Sequence, residues 1–195
     1  MPFQSASLRD ALAALGEILA DRGLVHDIAV VGGGALLLSG HIERATKDLD
    51  VVARVVGDTW MVAEPMPADL VDAVRDVGVA LELAPDWLNA GPASLFTAGL
   101  PVGFGDRAAI HRFGSLTVRL ASRADQIALK VYAAADDLPL HGKHLQDLRA
   151  LTPTKAELGH AARWCVTHDP SAGFRETQLA PLLALFSAHI GGADD

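Results

Sequence analysis

The 195-residue sequence has one cysteine, Cys165, one tyrosine, and only 5% aromatic residues. A single cysteine excludes an internal disulfide, and the shortage of aromatic residues means that aliphatic side chains must form most of the core. No apolar run reaches the roughly 20 residues that a membrane-spanning helix needs. Residues 1–5 lack the basic and apolar segments of a signal peptide. We therefore expect a cytoplasmic protein with no membrane partner.

Positive charge is also in short supply. The chain has 24 acidic and 16 basic residues, a formal net charge of −8, which argues against a protein that coats nucleic acid. Residues 1–100 carry 14 acidic and 6 basic residues, whereas residues 101–150 carry 5 acidic and 7 basic ones. Half of the residues are hydrophobic, so a sizeable core is available.

The spacing of apolar residues predicts an α/β chain that ends in helices. Residues 84–114 contain glycines and prolines with little periodicity, and they predict a long irregular connection. We predict one core of residues 1–150 and a C-terminal helical extension of residues 151–195 packed on it. The predicted strands are 28–31, 47–55, 79–83 and 116–120. The predicted helices are 7–22, 34–38, 67–77, 122–135, 143–151, one through Cys165 that a capping box at Thr154 and Glu157 opens, and 175–190.

The most informative segment is a glycine turn that is followed by two aspartates. Gly32, Gly33 and Gly34 follow an apolar strand and let the backbone approach a ligand closely. Asp48 and Asp50 alternate along the next predicted strand, so both carboxylates project to one face. Adjacent carboxylates repel, and Mg²⁺ binds carboxylate oxygens while keeping positions open for phosphate. The layout predicts a metal-dependent site for nucleotide transfer.

Each half of this motif also has a simpler interpretation. A triple glycine is often only a turn, and an Asp-x-Asp pair is often only a solvated strand face. The order and spacing of the two favour the site. Beside Asp48, Arg44 and Lys47 are placed for phosphate contact, although solvated charges would look the same.

The run from Gly32-Gly33 to Arg44-x-Thr46-x-Asp48-x-Asp50 resembles the first motif of the AbiEii toxin-like nucleotidyltransferases, in the DNA polymerase β-like superfamily. The resemblance implies an α/β (α+β) core, with a small mixed sheet flanked by helices, followed by C-terminal helices. It also implies Mg²⁺-dependent transfer of a nucleoside monophosphate from a nucleoside triphosphate.

Later motifs extend the resemblance in scattered form over residues 26–165. They are Asp125-x4-Lys130-x3-Ala134 and Lys143-x3-Asp147-Leu148-x2-Leu151. A shorter, uncharacterised bacterial branch of the family has counterparts of Trp87-Leu88-Asn89 and of Pro153-Thr154-x2-Glu157-Leu158.

The resemblance also assigns roles to residues. Asp48 and Asp50 would bind the Mg²⁺ (or Mn²⁺), Lys130 would lie near the triphosphate, and Asp147 would orient or deprotonate the acceptor. The residues that would contact the nucleotide are Gly32, Gly33, Gly34, Arg44, Thr46 and Lys47.

Several alternatives stay open for these residues. Lys130 lies on an amphipathic helix, where an exposed lysine is ordinary, and Asp147 can pair with Lys143 four residues earlier. Many polymerase β-like enzymes carry a third metal carboxylate, for which Glu82 and Asp86 are the best-placed residues here. Further single-residue interpretations are that Trp87 and Asn89 are structural, that Cys165 belongs to the core, and that His141 and His144 do not form a metal site.

Two functions therefore remain in view. The first is an enzyme that transfers a nucleotide to RNA, a protein or a small molecule, as a toxin-like protein with an antitoxin partner. The second is a catalytically lapsed fold that acts as a binding or regulatory module of a toxin–antitoxin-type system.

Overall fold

The computed structural model describes residues 2–137 and 141–190, with side chains described as far as residue 186. The chain divides into two compact units, Met1–Ser122 and Arg123–Asp195. The predicted division between residues 150 and 151 concerns domains and stays a prediction.

The first unit is an α/β fold, which confirms the predicted fold class. Its described residues form one six-stranded mixed sheet with the order β3-β2-β1-β6-β5, and β4 pairs with β2 off this path. The elements in chain order are α1 (Ser5–Asp21), β1 (His26–Val31), α2 (Gly32–Leu38), β2 (Leu49–Val56), β3 (Thr59–Val62), α3 (Ala68–Ala80), β4 (Leu88–Asn89), α4 (Ala93–Ala98), α5 (Phe104–Arg107), β5 (Ala109–Phe113) and β6 (Leu116–Leu120).

Strand β2, which carries the predicted site residue Asp50, pairs with three other strands. β1 runs antiparallel along one side of β2. On the other side, β3 pairs antiparallel with the C-terminal half of β2, and β4 pairs in parallel with Leu49 and Asp50. Asp50, which is paired with both Val31 and Asn89, therefore lies between β1 and β4.

The core of this unit is largely aliphatic, as the shortage of aromatic residues predicted. Helix α1 buries Leu8, Leu12, Leu15 and Leu19 completely, at the spacing that a one-sided apolar helix requires. Trp87 is the largest fully buried side chain among the described residues. Its indole Nε1 donates to the carbonyl of Val74 at 3.0 Å, which satisfies the one polar atom of a buried ring.

The second unit consists of helices. They are α6 (Arg123–Asp136), α7 (Lys143–Ala150), α8 (Lys155–His168), and a π-helical segment (Phe174–Leu179) that continues into α9 (Ala180–Ile190). Helix α8 opens with the predicted capping box: Glu157 N donates to Thr154 Oγ1 at 3.2 Å, and Thr154 N donates to Glu157 Oε2 at 2.8 Å. Among the described residues, no helix has both the length and the apolar character to cross a membrane.

Two predictions about elements were wrong. Residues 79–83 are not a strand, because α3 continues to Ala80 and the chain then turns at Glu82, where φ is +53°. Val79 and Leu81 made this segment look like a strand, yet both side chains are exposed. Residues 84–114 are not irregular either: they hold β4, α4, α5 and β5, each only two to six residues long and too short to leave a periodic signal.

Candidate functional site

At the turn between β1 and α2, the backbone of Gly32 lies close to the carboxylate of Asp50. Gly32 has φ of +75°, and a Cβ at this position would lie 2.6 Å from Oδ2 of Asp50. The sheet explains the approach, because Val31 is paired with Asp50 across β1 and β2. A side chain at position 32 would therefore be strained and would also collide with the carboxylate.

Gly33 and Gly34 leave room for the residues just before β2 and for the first residue of that strand. A Cβ on Gly33 would lie 3.0 Å from Thr46 Oγ1 and 3.2 Å from Arg44 Nη2. A Cβ on Gly34 would lie 2.7 Å from Leu49 Cδ1 and 2.8 Å from the carbonyl oxygen of Asp48. The three glycines thus have a packing role that does not depend on phosphate. Their contact with a nucleotide stays a prediction.

Residues 44–48 form a loop that is fastened at its centre. Thr46 is buried, and its backbone exchanges two hydrogen bonds with Phe3, at 2.5 and 3.1 Å. Its hydroxyl donates to the carbonyl of Asp48 at 3.3 Å. Thr46 therefore positions the loop, whereas Lys47 is exposed and Arg44 is half-buried.

Asp48 and Asp50 lie at the beginning of β2, and both are half-buried. The strand starts at Leu49, two residues later than predicted, so Asp48 directly precedes it. Leu49 N donates to the carbonyl of Trp87 at 2.7 Å, and Asn89 is paired with Asp50. The aspartates are thereby attached to β4 on one side and, through Asp50, to β1 on the other.

Among the residues that the structure describes, no third acid joins these aspartates in a metal-binding group. Glu82 and Asp86 are both exposed on the connection between α3 and β4. Over the described ranges, no group of three or more His, Cys, Asp or Glu side chains is arranged to hold a metal ion. The acidic part of the candidate site therefore consists of two carboxylates.

The second unit joins the other two predicted catalytic residues in a buried ion pair. Lys130 Nζ on α6 lies 2.7 Å from Asp147 Oδ2 on α7, and the two side chains are 5% and 1% exposed. The interpretation of Lys130 as an ordinary exposed lysine is wrong, and Asp147 pairs with Lys130 while Lys143 is exposed. Helical spacing did not reveal this pair, because its two residues lie on different helices and are 17 positions apart in sequence.

His144 lies on the same face of α7 as Asp147, three residues earlier. Burial, and then the positive charges of Lys130 and Lys143, lower the pKa of this imidazole. Its Nδ1 atom is buried and has no hydrogen-bond partner within the described part of the chain. A proton on Nδ1 would find no acceptor there, which also favours the neutral ring.

Cys165 belongs to the core, as predicted. The thiol is fully buried, and its Sγ lies 3.9 Å from the carbonyl of Ala128. Burial raises the pKa of this thiol to about 12, so it stays protonated and is a poor nucleophile at neutral pH.

The packing of the glycines yields a stability prediction. Gly34→Ala should lower the free energy of unfolding by about 1–3 kcal/mol, because its Cβ overlaps Leu49 and the Asp48 carbonyl. Gly159→Ala in α8, whose nearest neighbour would be 3.7 Å away, should instead raise it by roughly 0.5–1 kcal/mol. Urea denaturation measures both, and equal stabilities of the two variants would contradict the packing role.

The buried ion pair yields a second prediction. Lys130→Met or Asp147→Leu alone should cost about 3–5 kcal/mol of unfolding free energy, because each leaves the other charge buried without its partner. The double variant should cost much less than the sum, since both charges are then gone. The exposed pair Asp72 and Arg75 is the control, and Arg75→Met should change stability by less than about 1 kcal/mol. Additive effects at Lys130 and Asp147 would contradict the coupling.

A third prediction concerns acid stability. The folded state binds a proton at His144 less readily than the unfolded state does, so stability should fall as pH drops below the ordinary pKa of 6.5. His144→Gln should weaken this dependence between pH 7 and pH 5, whereas the exposed His141→Gln should leave it unchanged. Chemical denaturation at several pH values measures the slopes. An unchanged slope for His144→Gln would show that this histidine is not responsible.

Comparison with known proteins assigns most of the chain to one family. No curated protein and no solved structure matches the chain. Residues 6–137 match the family described as nucleotidyltransferase of unknown function (DUF6036). The match contains the glycine turn, Asp48, Asp50 and Lys130, and it ends before Asp147. The chain belongs to this nucleotidyltransferase family.

Proposed function

We propose that this protein transfers a nucleoside monophosphate from a nucleoside triphosphate to the hydroxyl of an acceptor, with release of pyrophosphate and with Mg²⁺ or Mn²⁺ as cofactor. The observation that carries the proposal is the position of Asp50, whose carboxylate lies against the bare backbone of Gly32 in a chain of a nucleotidyltransferase family. A carboxylate and a backbone without a side chain thus lie at one place.

The donor set fits a divalent cation. Asp48 and Asp50 offer hard oxygen ligands, and Mg²⁺ is commonly held by one or two carboxylates together with substrate phosphates and water. A side chain at position 32 would collide with the Asp50 carboxylate, so glycine is what lets this carboxylate lie against the backbone of the turn. Asp48 and Asp50 would hold the cation, whose positive charge would make the α-phosphorus more electrophilic.

The surroundings of the aspartates would supply contacts for the phosphates. Arg44 and Lys47 carry positive charge on the loop that leads to Asp48, and Gly32 and Gly33 present backbone without side chains. Thr46 is buried and bonded to its own loop, so we assign it the positioning of that loop. Catalysis of this kind consists of positioning and electrostatic stabilisation.

We propose that Lys130 and Asp147 are also required for activity. Lys130 would provide the positive charge that phosphate chemistry uses, and its burial removes competition from water. Asp147 is 1% exposed and bound to Lys130, so its surroundings favour orienting the lysine over taking a proton from an acceptor.

For the acceptor and the biological role, the support is the resemblance of the glycine and aspartate motif to that of the AbiEii toxin-like enzymes. We propose a toxin-like enzyme with an antitoxin partner, whose acceptor is RNA, a protein or a small molecule. The net charge of −8 weighs against an extended RNA surface, because lysine and arginine neutralise the phosphates in such a surface and acidic residues outnumber them here.

A lapsed fold that serves as a binding module is the second candidate. It is favoured by one observation, namely that the described residues offer two carboxylates and no third metal-binding acid beside them. The two candidates differ in a measurable way, because only the enzyme moves a labelled nucleotide.

The proposal predicts loss of transfer in aspartate variants. Purified protein is incubated with each α-labelled nucleoside triphosphate, Mg²⁺, and either total RNA or cell extract. Asp48→Asn and Asp50→Asn should each reduce transfer by about 100-fold or more, because the cation loses a ligand. Chelation of the divalent cation should abolish transfer.

The matched control is Asp58→Asn, which makes the same change at an exposed aspartate in the turn after β2. This variant should retain full activity. Transfer by Asp48→Asn and Asp50→Asn at the level of Asp58→Asn would refute the proposed site. Absence of transfer by the unaltered protein under every condition would favour the binding module.

A further inference from the structure

Asn89 lies beside Asp50 on a neighbouring strand. Strand β4 has two residues, and its parallel register pairs Leu88 with Leu49 and Asn89 with Asp50. Neighbouring strands are about 4.8 Å apart, and paired residues project to the same face of the sheet. The amide of Asn89 and the carboxylate of Asp50 therefore project side by side.

Two local hydrogen bonds hold the Asn89 side chain. Gly91 N donates to Asn89 Oδ1 at 2.8 Å, and Asn89 Nδ2 donates to the carbonyl of Asp86 at 3.3 Å. An amide oxygen accepts two hydrogen bonds, so the Gly91 contact uses one of the lone pairs of Oδ1. Such a bond orients an oxygen ligand and removes the entropy cost of ordering it.

The strand that carries Asn89 is itself anchored. The preceding residue, Trp87, is completely buried, donates to the Val74 carbonyl and accepts from Leu49 N at 2.7 Å. The ring of Trp87 also packs edge-to-face against Phe3, with centroids 5.9 Å apart. Asn89 is thus held next to Asp50 by the core and not by a loose loop.

We propose that Asn89 Oδ1 is a third oxygen donor of the cation site at Asp48 and Asp50. The inference deepens the proposed function and rests on it. A neutral amide adds an oxygen without adding a third negative charge, and like charges directly opposite each other on neighbouring strands are destabilising. Asn89 therefore takes the position for which the exposed residues Glu82 and Asp86 were candidates.

The decisive variant is Asn89→Asp, which keeps an oxygen to accept from Gly91 N and adds a charge next to Asp50. Without divalent cation, its melting temperature should fall by about 1–4 °C. The same change made in the Asp50→Asn protein should cause no such fall, because the opposing carboxylate is gone. Equal shifts in both backgrounds would overturn the inference, since Asn89 would then not face Asp50.

Cation affinity gives a second readout that needs no turnover. Mn²⁺ is titrated, alone and with a non-hydrolysable nucleoside triphosphate analogue, and followed by electron paramagnetic resonance. Asn89→Asp should bind Mn²⁺ about 10-fold more tightly than the unaltered protein, and Asn89→Ala about 10-fold more weakly. Asp58→Asn, the exposed control, should not change the affinity.

The outcomes separate the two proposals. Tight Mn²⁺ binding that depends on Asp48 and Asp50 but is unaffected by either Asn89 variant overturns the role of Asn89 and leaves the proposed function standing. Failure of the unaltered protein to bind Mn²⁺, alone or with the analogue, overturns both.

Discussion

The candidate site depends on the close approach of residues 44–50 to the three glycines at positions 32–34. The carboxylate of Asp50 occupies space that a Cβ at position 32 would fill, and the backbone of Asp48 does the same at position 34. Because these contacts involve backbone and short side chains, a larger residue has nowhere to move. The glycines thus fix where the acidic oxygens lie relative to the β1–α2 turn.

Two residues with large buried side chains, Phe3 and Trp87, also hold the segment that carries the aspartates. Phe3 is hydrogen-bonded through its backbone to Thr46, and the carbonyl of Trp87 accepts from Leu49 N, so the chain is held at the centre of the loop and at the first residue of β2. The two rings also pack against each other. In a protein with few aromatic residues, two of them are thus used to position the segment that carries the aspartates. Rigid support of this kind is what electrostatic catalysis requires, because charges that must reorganise are less effective.

The helical unit differs from the first unit in its charged residues: Lys130 and Asp147 are almost completely buried, whereas Asp48 and Asp50 are half-buried. The Lys130–Asp147 pair is almost inaccessible, and a buried pair of this kind adds little net stability because desolvation offsets attraction. An apolar pair would serve packing equally well. The presence of charge there is therefore consistent with a chemical role, and the neutral His144 beside it avoids adding another positive charge close to Lys130.

The sequence by itself determined the fold class, the glycine turn, the paired aspartates and most long helices, because these depend on local spacing and turn chemistry. Short elements between residues 84 and 114, and the true end of α3, were not predictable, since a two-residue strand has no periodicity and the exposed Val79 and Leu81 imitate the alternation of a strand. Tertiary structure alone decided that Lys130 meets Asp147 and that Asn89 lies beside Asp50. Such pairings join residues that are distant in sequence, and only chain packing and strand register specify them.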